Sequence, residues 1–334
     1  MDWSKGFSAN YYITVVDRNS WRDIDRIEIT GGTVKRSYSD LRESADINCV
    51  EYDSTTEQII RVWLDAKQEG DSSHTPIFTG IATSPGRNIN GRLETNTLQC
   101  YSILKIAQDI LLPGGWYAPA SANGGAIIRR LLSVTGAPID IAENSPGLKS
   151  AIIAEQGENN LSMVEKILGA MNWRLKLTGR GEIIIEPISH DPVDRFDPIE
   201  NDVVELSLSI TNDWYGCPNV YRAVSDDAVA IARDDSPDSP FSTVNRGREI
   251  WYEETSCYLN ENETLSDYAR RMLKDAQQVA YNISYARRFD PNIRVEDVVS
   301  INYPEQNISG NFLITDQSIE LSHGARISEE AVKV

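Results

Sequence analysis

The sequence has few of the residues from which catalytic and metal sites are most often built. Its 334 residues include three histidines, His74, His190 and His323. All three fall in predicted loops, and none has a second histidine or a cysteine at metal-ligand spacing. No serine lies in a G-x-S-x-G motif, and no glycine-rich phosphate loop leads from a strand to a helix. We therefore expect a protein that is not an enzyme and that has no metal or cofactor.

Cysteines and long apolar runs are also scarce. Cys49, Cys100, Cys217 and Cys257 are far apart and form no C-x-x-C pair, so we expect small buried apolar residues. No run of about 18 apolar residues occurs, so no transmembrane helix is predicted. The N-terminus has no basic region followed by an apolar stretch. We therefore expect no signal peptide, and assembly in a cytoplasm.

Positive charge is missing from one long stretch. Between Asp191 and Arg270 the sequence has 18 acidic residues against six arginines and no lysine, a net charge of −12 within a chain total of −18. Such a surface repels nucleic-acid phosphates and anionic lipid, which excludes a conventional DNA-binding protein. Solubility alone is an equally simple reason for the excess.

The acidic residues leave two chemical alternatives open. Asp226-Asp227 and Asp234-Asp235 could bind calcium, but they lack the ligand spacing of a known calcium loop, and solvated loops are the favoured interpretation. A carboxylate pair for glycoside hydrolysis also stays open, because 50 acidic residues always offer candidates. No particular pair is singled out.

The length predicts two or three domains, and a composition of 40% hydrophobic and 25% charged residues is that of a folded protein. In the first hundred residues, five or six short runs have strand character. Tyr11–Val16 is aromatic and β-branched, and Ala45–Cys49 alternates apolar with polar residues. We place a first small β-barrel domain at residues 1–105.

Residues 106–200 are predicted as an α+β middle domain. Apolar spacing predicts a short helix from Ser102 to Leu112, a second from Gly124, and a third with Asn160 as its N-cap. Strands on either side of Gly179-Arg180-Gly181 then form a hairpin against the third helix. The turn-rich stretch from His190 to Glu200 is predicted as a linker.

Residues 201–334 are predicted as a second β-barrel domain. It carries an acidic loop and a helix as an insertion at about 234–285. The helix is predicted over Leu265–Tyr281, with Thr264 and Asp267 as a capping box. Further strands begin near Ile283, Val295 and Phe312, and the tail from Ser322 to Val334 is predicted to be loose.

Two hairpins, one in each β-rich half, look like versions of one another. The first joins Arg61–Leu64 to Pro76–Thr83, and the second joins Val298–Tyr303 to Gly310–Gln317. Each has a β-rich run, a polar loop and a second run with a phenylalanine near its start. A duplicated barrel and a chance likeness between hairpins both explain this pattern.

The order of these pieces resembles the phage late control D proteins, the baseplate hub proteins of contractile and related tails. Pro76–Ala82 followed by Thr97–Leu104 resembles the family's F-x-G-x-(V/I) and v-x-c-x-D-x-L run. Leu161–Pro187 resembles its middle domain, and Val295–Ile314 its closing i-x-v-G-D-x-v and G-x-f-x-I segment. The likeness covers nearly the whole chain. Glu296 stands where the family often has glycine, and Ser102 where it often has aspartate.

The resemblance implies a mainly β fold with α+β insertions: two similar small, tube-like β-barrels and a helix-hairpin middle domain. It implies a non-enzymatic homotrimer that adapts a hexameric tail tube to a trimeric spike and forms part of a channel for DNA or effectors. Expected partners are further copies of the chain, the tail tube protein, the spike and other baseplate proteins, with the tape measure protein as a further candidate. DNA would pass an acidic bore without specific binding, and no membrane is involved.

The implied location is the baseplate of a virion tail or a tailocin particle, assembled in the bacterial cytoplasm. Two alternatives stay open. One is a tail-tip β protein that binds carbohydrate or a cell surface, and the other is a cell-wall hydrolase.

Overall fold

The computed structural model describes residues 1–38, 41–52, 55–91, 93–197, 204–212, 214–225, 228–255, 257–260, 262–278, 281–306 and 308–334. The strands are β1 Ser8–Val16, β2 Asp23–Ser37, β3 Glu43–Cys49, β4 Ile59–Gln68, β5 Asp71–Asn90, β6 Leu93–Ser102, β7 Tyr117–Ala118, β8 Ile139–Ile141, β9 Ile152–Ile153, β10 Trp173–Leu177, β11 Ile183–Pro187, β12 Pro192–Phe196, β13 Val204–Asn212, β14 Val220–Ser225, β15 Ala228–Arg233, β16 Trp251–Thr255, β17 Tyr281–Arg287, β18 Val298–Tyr303, β19 Ile308–Glu320 and β20 Ile327–Lys333. The helices are α1 Leu104–Gln108, α2 Gly124–Leu132, α3 Asn160–Met171, α4 Thr243–Arg246 and α5 Leu265–Gln278.

The first six strands pair in a closed cycle, which we call the first ring. Its order is β1-β4-β5-β6-β3-β2, and β2 pairs back with β1. All of these pairs are antiparallel. Apolar residues that alternate along the strands, such as Ile13, Ile47 and Leu98, are buried in its core. The alternation visible in the sequence therefore does mark inward-facing positions.

Six strands from the second half form what we call the second sheet, in the order β12-β18-β19-β20-β17-β13. If the six strands of each unit are numbered 1 to 6 in the order in which they occur in the sequence, both units have the spatial order 1-4-5-6-3-2. One direction differs, because β12 runs parallel to β18 whereas β1 runs antiparallel to β4. In the part of the chain that the structure describes, β12 and β13 do not pair. The Tyr303 hydroxyl of β18 instead donates to the Glu205 carbonyl on β13 at 3.2 Å.

The hydrogen-bond registers fix how the two units correspond. β5 has an extra residue, Thr83, between its pairs with β6, and β19 has Thr315 at the same place against β20. On the other edge, Ile81 ends the pairing with β4 and Leu313 ends the pairing with β18. The pairing on both edges of these strands therefore gives the same result: Ile81 of β5 and Leu313 of β19 occupy equivalent positions. The two hairpins noticed in the sequence lie at equivalent places, but their phenylalanines are offset by two residues.

The middle region packs helices α1–α3 against the three-stranded sheet β10-β11-β8. Its apolar core continues into one end of the first ring through Val16, Ile59 and Ile81. The predicted first helix is shorter than expected and ends at Gln108. The N-cap of α3 is Asn159, not Asn160, and it forms a reciprocal capping box with Ser162.

An α+β insert lies between β13 and β17. Its sheet has the order β15-β14-β16, and α5 packs on one face of it. The helix has the predicted Thr264–Asp267 capping box, in which Asp267 N–H donates to Thr264 Oγ1 at 3.2 Å. The insertion predicted at about 234–285 covers only part of this unit, because β14 and β15 precede it and pair with β16 rather than with the second sheet.

Two predictions about irregular segments are wrong. The linker predicted over 190–200 contains β12, with Pro192 at the first strand position, where a missing N–H is tolerated. The tail predicted to be loose contains β20, the neighbour of both β17 and β19. Its inward positions are Ile327, Glu329 and Ala331, and the glutamate conceals the apolar alternation of the strand. Within the described ranges, no helix has the length and apolar character needed to cross a membrane.

Candidate interface between the two β units

The first ring and the second sheet join edge to edge. β2 pairs antiparallel with β19 through five residue pairs, from Thr33 opposite Glu320 to Ser37 opposite Asp316. The first half of β2 pairs with β1, and its second half pairs with β19 on the same edge. The change of partner on β2 therefore produces one continuous sheet from two units.

Glycines occupy the point where β2 changes partner. Pairing between β2 and β3 shifts register between Ile29 and Gly31. A Cβ on Gly32 would overlap the Asp46 carbonyl oxygen of β3, whereas a Cβ on Gly31 would meet no atom within 4 Å. Gly32 is required by close backbone approach, which is one of the usual reasons for glycine inside a strand.

A series of buried polar side chains lies beneath the β2–β19 pairing, which we call the joint. Arg287 and Glu329 form an ion pair at 2.6 Å in which both side chains are 0% exposed. Gln317 on β19 donates to Glu329 at 2.6 Å and accepts from Arg36 of β2 at 3.0 Å. Arg36 in turn pairs with Glu43 at 3.2 Å. The joint is therefore built from complementary charges, in contrast to the apolar interior of each unit.

Burial is the largest effect on the pKa of both arginines in this series, Arg36 and Arg287. Burial and then the nearby Arg294 cation lower the pKa of Arg36 to about 9, although Glu43 opposes them. For Arg287 burial is again the largest effect and lowers the pKa, but the charge and hydrogen bond of Glu329 outweigh it and the net direction is upward. Both guanidinium groups stay charged near neutral pH, so removal of one partner would leave an uncompensated buried charge.

A second polar cluster joins three parts of the chain. Arg42, just before β3, contacts Glu165 of α3 at 3.0 Å and Glu296, just before β18, at 3.4 Å. Lys176 of β10 pairs with Asp297 at 2.6 Å. These contacts connect the first ring, the middle region and the second sheet at one point.

Glu296 is the unusual member of this cluster. It has φ of +71°, a conformation that favours glycine. This agrees with the glycine that the resembled family often has at this position. Its side chain is 4% exposed, and burial raises the pKa of Glu296 to about 6 in spite of the Arg42 and Arg174 cations. A glutamate here combines backbone strain with a carboxylate that titrates near pH 6.

A cavity of about 950 Å³ opens over the joint. Its lining comes from both units and includes Lys35, Leu206, Ser209, Asp316 and Glu330. These residues are mainly hydroxyl-bearing or charged, and several lie on β13 at the open end of the second sheet.

The Gly179-Arg180-Gly181 turn docks on the first ring. Thr79 of β5 donates to the Gly179 carbonyl at 2.8 Å, and Arg61 of β4 donates to the Arg180 carbonyl at 3.1 Å. A Cβ on Gly179 would overlap the Pro76 carbonyl, so only glycine fits. The sequence identified this turn as part of a hairpin, and the structure adds that it holds the middle region against the ring.

The histidines occupy separate places. His74 lies in β5, not in a loop; it stacks on Trp63 at 4.1 Å and bonds Asp65 at 2.6 Å. His190 lies in an irregular segment, and His323 lies in a turn where its ring nitrogen bonds the Ala9 carbonyl at 3.2 Å. Among the described residues, no three histidine, cysteine or carboxylate side chains are grouped to hold a metal ion.

The remaining sequence candidates are engaged within the protein. All four cysteines are buried thiols that are not part of a disulfide, and burial raises the pKa of Cys49 to about 11. Asp234 accepts from the Gln277 amide at 3.0 Å, and Asp235 pairs with Arg233 at 2.8 Å. Asp226-Asp227 lies outside the described residues. No carboxylate pair was predicted to act in catalysis, and neither aspartate of the Asp234-Asp235 pair is left without a protein partner.

The insert exposes apolar and aromatic side chains. Val229 and Ile231 on β15 are 51% and 54% exposed, and Trp251 on β16 is 51% exposed. By strand alternation they lie on the face of the sheet opposite α5, where Val229 pairs with Val224, Ile231 with Arg222 and Trp251 with Val220. An exposed patch of this kind often marks a contact surface.

The fold is shared with solved phage tail proteins. The tail protein from Neisseria meningitidis superposes with a TM-score of 0.71 at 14% identity, covering 97% of each chain. The 43 kDa tail protein of prophage MuSo2 from Shewanella oneidensis gives 0.67 at 12% identity, covering 98% of this chain and 97% of that one. A type VI secretion component of E. coli, described as similar to the T4 bacteriophage tail proteins gp27 and gp5, gives 0.50 at 9% identity and covers 96% of this chain and 76% of its own.

No family model matches the chain, and no curated relative does. At these identities the likeness establishes the fold, which is that of phage tail proteins and of a type VI secretion component.

Proposed function

We propose that the protein is a structural baseplate hub of a phage tail or a related injection particle. In this role three copies form a ring that adapts a hexameric tail tube to a trimeric spike. Each copy supplies two similar tube-like units, the first ring and the second sheet, so three chains present six units around a bore. The protein acts by holding its neighbours and has no catalytic activity.

The observation that carries the proposal is the repeated strand order. The two units share the same 1-4-5-6-3-2 path, and an extra residue occurs at the same place in each. They are joined laterally through β2 and β19, as two adjacent segments of a ring must be. A ring with sixfold-like character can be built from three chains only if each chain repeats its unit.

The acidity of the chain fits a channel wall. A net charge of −18 repels phosphates, so DNA could move along such a wall without binding to it. The partners in this proposal are further copies of the chain, the tail tube protein, the spike and other baseplate proteins. The place of action is the baseplate of an assembled tail.

Light scattering and negative-stain electron microscopy of the purified chain test this function. The expected particle has the mass of three chains and, viewed along its axis, six peripheral lobes around a central bore. Measurements across a wide concentration range allow for weak association. A particle with twofold symmetry, or a chain that stays monomeric throughout and also in the presence of tail tube protein, would contradict the proposal.

A carbohydrate-binding role is the second candidate, and the exposed aromatic residues of the insert favour it. Trp251 and Tyr252 are 51% and 53% exposed, and flat aromatic rings with a polar edge suit contacts with amphipathic ligands. A glycan array would show binding that is lost in Trp251→Ala. The absence of any bound glycan would leave the hub as the sole proposal.

A further inference from the structure

A small polar cavity lies where the first ring, the middle region and the second sheet meet. Its volume is about 30 Å³. Charged side chains from all three parts line it: Arg36, Arg42 and Glu43 from β2, β3 and the residues between them, Lys176 from β10, and Arg294 and Glu296 from the segment before β18. The junction of the three parts therefore encloses a space with strong hydrogen-bonding groups around it.

Three buried atoms in this lining have no hydrogen-bond partner among the described residues. They are Nε of Arg36, Nε of Arg42 and Oε2 of Glu43. The three residues are 3%, 9% and 6% exposed. Nε of Arg36 lies 3.2 Å from Oε1 of Glu43 but is not aligned for a hydrogen bond with it. Because buried polar groups nearly always have a partner, two donors and one acceptor at one cavity indicate a bound molecule.

The other polar atoms of these side chains are engaged within the protein. Arg36 donates through Nη1 to Gln317 at 3.0 Å and through Nη2 to the Ile77 carbonyl at 2.8 Å. Both terminal nitrogens of Arg42 also donate to protein oxygens. Oε1 of Glu43 accepts from a guanidinium group. These bonds hold the three side chains in place, so the three remaining atoms are fixed around the cavity.

The charges at this junction are balanced. Ion pairs connect five cations with five carboxylates: Arg36, Arg42, Arg174, Lys176 and Arg294 with Glu43, Glu165, Glu186, Glu296 and Asp297. These ten charges cancel. A buried ion would have no excess of opposite charge to offset its loss of hydration, so the ligand that fits is neutral.

The volume limits the size of this neutral ligand. A buried water needs roughly 10–15 Å³ of free volume and two to four polar partners. The cavity of about 30 Å³ exceeds that minimum and is far smaller than the roughly 300–1,000 Å³ of pockets for organic ligands. Water is also both a donor and an acceptor, as the two Nε–H groups and the carboxylate oxygen require.

We infer that an ordered water molecule binds in this cavity, where it accepts hydrogen bonds from Nε–H of Arg36 and Nε–H of Arg42 and donates one to Oε2 of Glu43. Three hydrogen bonds are typical of a buried water. The water completes the bonding of three charged side chains at the point where the three parts of the chain meet. The inference concerns a single copy of the chain and is independent of the proposed ring.

A high-resolution crystal structure of the protein, from crystals soaked in sodium bromide, tests the site. The expected result is a density peak within about 3.2 Å of the three atoms that gives no anomalous signal at the bromine absorption edge. An anomalous peak there would identify a halide in place of water and overturn the inference. An empty cavity, or direct bonds from the three atoms to other protein groups, would overturn it as well.

Glu43→Gln tests the acceptor. The glutamine oxygen is expected to keep the bond that Oε1 accepts, which places the amide N–H₂ where Oε2 was. Three donors and one extra positive charge then face the cavity. We therefore expect bromide to replace the water in this variant. The measurement on the unaltered chain stands by itself if the variant does not fold.

Glu186→Gln is the matched control. It removes the same charge from the same group of ion pairs, but Glu186 is not among the residues that line the cavity. It is expected to keep the water and to bind no bromide. Bromide in both variants would mean that net charge decides what binds, and a water that stays in place in Glu43→Gln would mean that Glu43 is not its acceptor. Either result would overturn the three-atom site.

Discussion

In the first ring, β1 runs antiparallel to β4 and pairs with β2, so every strand has two neighbours. In the second sheet, β12 runs parallel to β18, and β17 is the one strand that pairs with β13 among the described residues. The strand order is otherwise the same. Among the described residues, the unit in which this one strand is reversed is also the unit whose first two strands do not pair.

The interiors differ as well. The registers equate Arg287 with Cys49 and Glu329 with Leu98, so a buried ion pair in the second sheet stands where the first ring has apolar residues. At this place Gln317 of the second sheet connects Glu329 to Arg36 of the first ring, and the Arg287–Glu329 pair extends that network. The same strand order is therefore compatible with an apolar interior and with a charged one in which the arginine and the glutamate are paired.

Removal of one half of the ion pair should have the largest effect. Glu329→Ala leaves Arg287 charged and buried, and we expect a loss of about 3–5 kcal/mol in the free energy of unfolding. Arg287→Met/Glu329→Leu, which imitates the apolar first ring, should recover most of this loss. Urea denaturation provides the measurement. A double variant no more stable than the single one would show that the two interiors are not interchangeable.

The bend in β2 should be the next most sensitive point. Gly32→Ala places a Cβ against the Asp46 carbonyl, and we expect a loss of about 2 kcal/mol. Gly31→Ala is the matched control, because Gly31 has the same φ of +154° but an added Cβ would meet no atom within 4 Å. In the second sheet the equivalent of Gly32 is Leu208, whose partly buried side chain packs against the core of that sheet. Equal effects of the two substitutions would contradict the role of close approach.

Glu296 should make the stability depend on pH. Its pKa in the fold is about 6, above the ordinary value of 4.5, so the fold favours the protonated form. Its contribution to stability is constant below pH 4.5, falls by about 2 kcal/mol as the pH rises to about 6, and is constant above that. Glu296→Gln should remove this part of the pH dependence, as thermal unfolding between pH 4 and 8 would show.

The counterpart of Glu296 in the first ring gives the control. Glu57 lies two residues before β4, as Glu296 does before β18, but it forms an exposed ion pair with Arg18. Glu57→Gln removes the same formal charge at an exposed site and is the control for net charge. A profile that flattens in both variants would assign the effect to net charge instead of burial.

The smallest effect is expected at the open edge itself. Glu205 of β13 pairs with Arg326 at 2.6 Å, but both side chains are nearly half exposed. Glu205→Gln should therefore change the free energy of unfolding of the monomer by less than about 1 kcal/mol. A larger loss of stability in a dilute monomer would contradict this expectation and would mean that the Glu205–Arg326 pair is needed to hold β13 in place.

The sequence by itself determined the local elements. Alternation predicted most strands, capping residues predicted α5, and Gly179-Arg180-Gly181 predicted a hairpin turn, because all of these depend on neighbouring residues. β12 and β20 were missed, because Pro192 and Glu329 interrupt the local pattern and are acceptable only where a particular neighbour receives them. Tertiary structure alone decided the direction of β12, the joint between β2 and β19 and the burial of the Arg287–Glu329 pair. Each of these depends on residues far apart in the chain, whose meeting no local periodicity records.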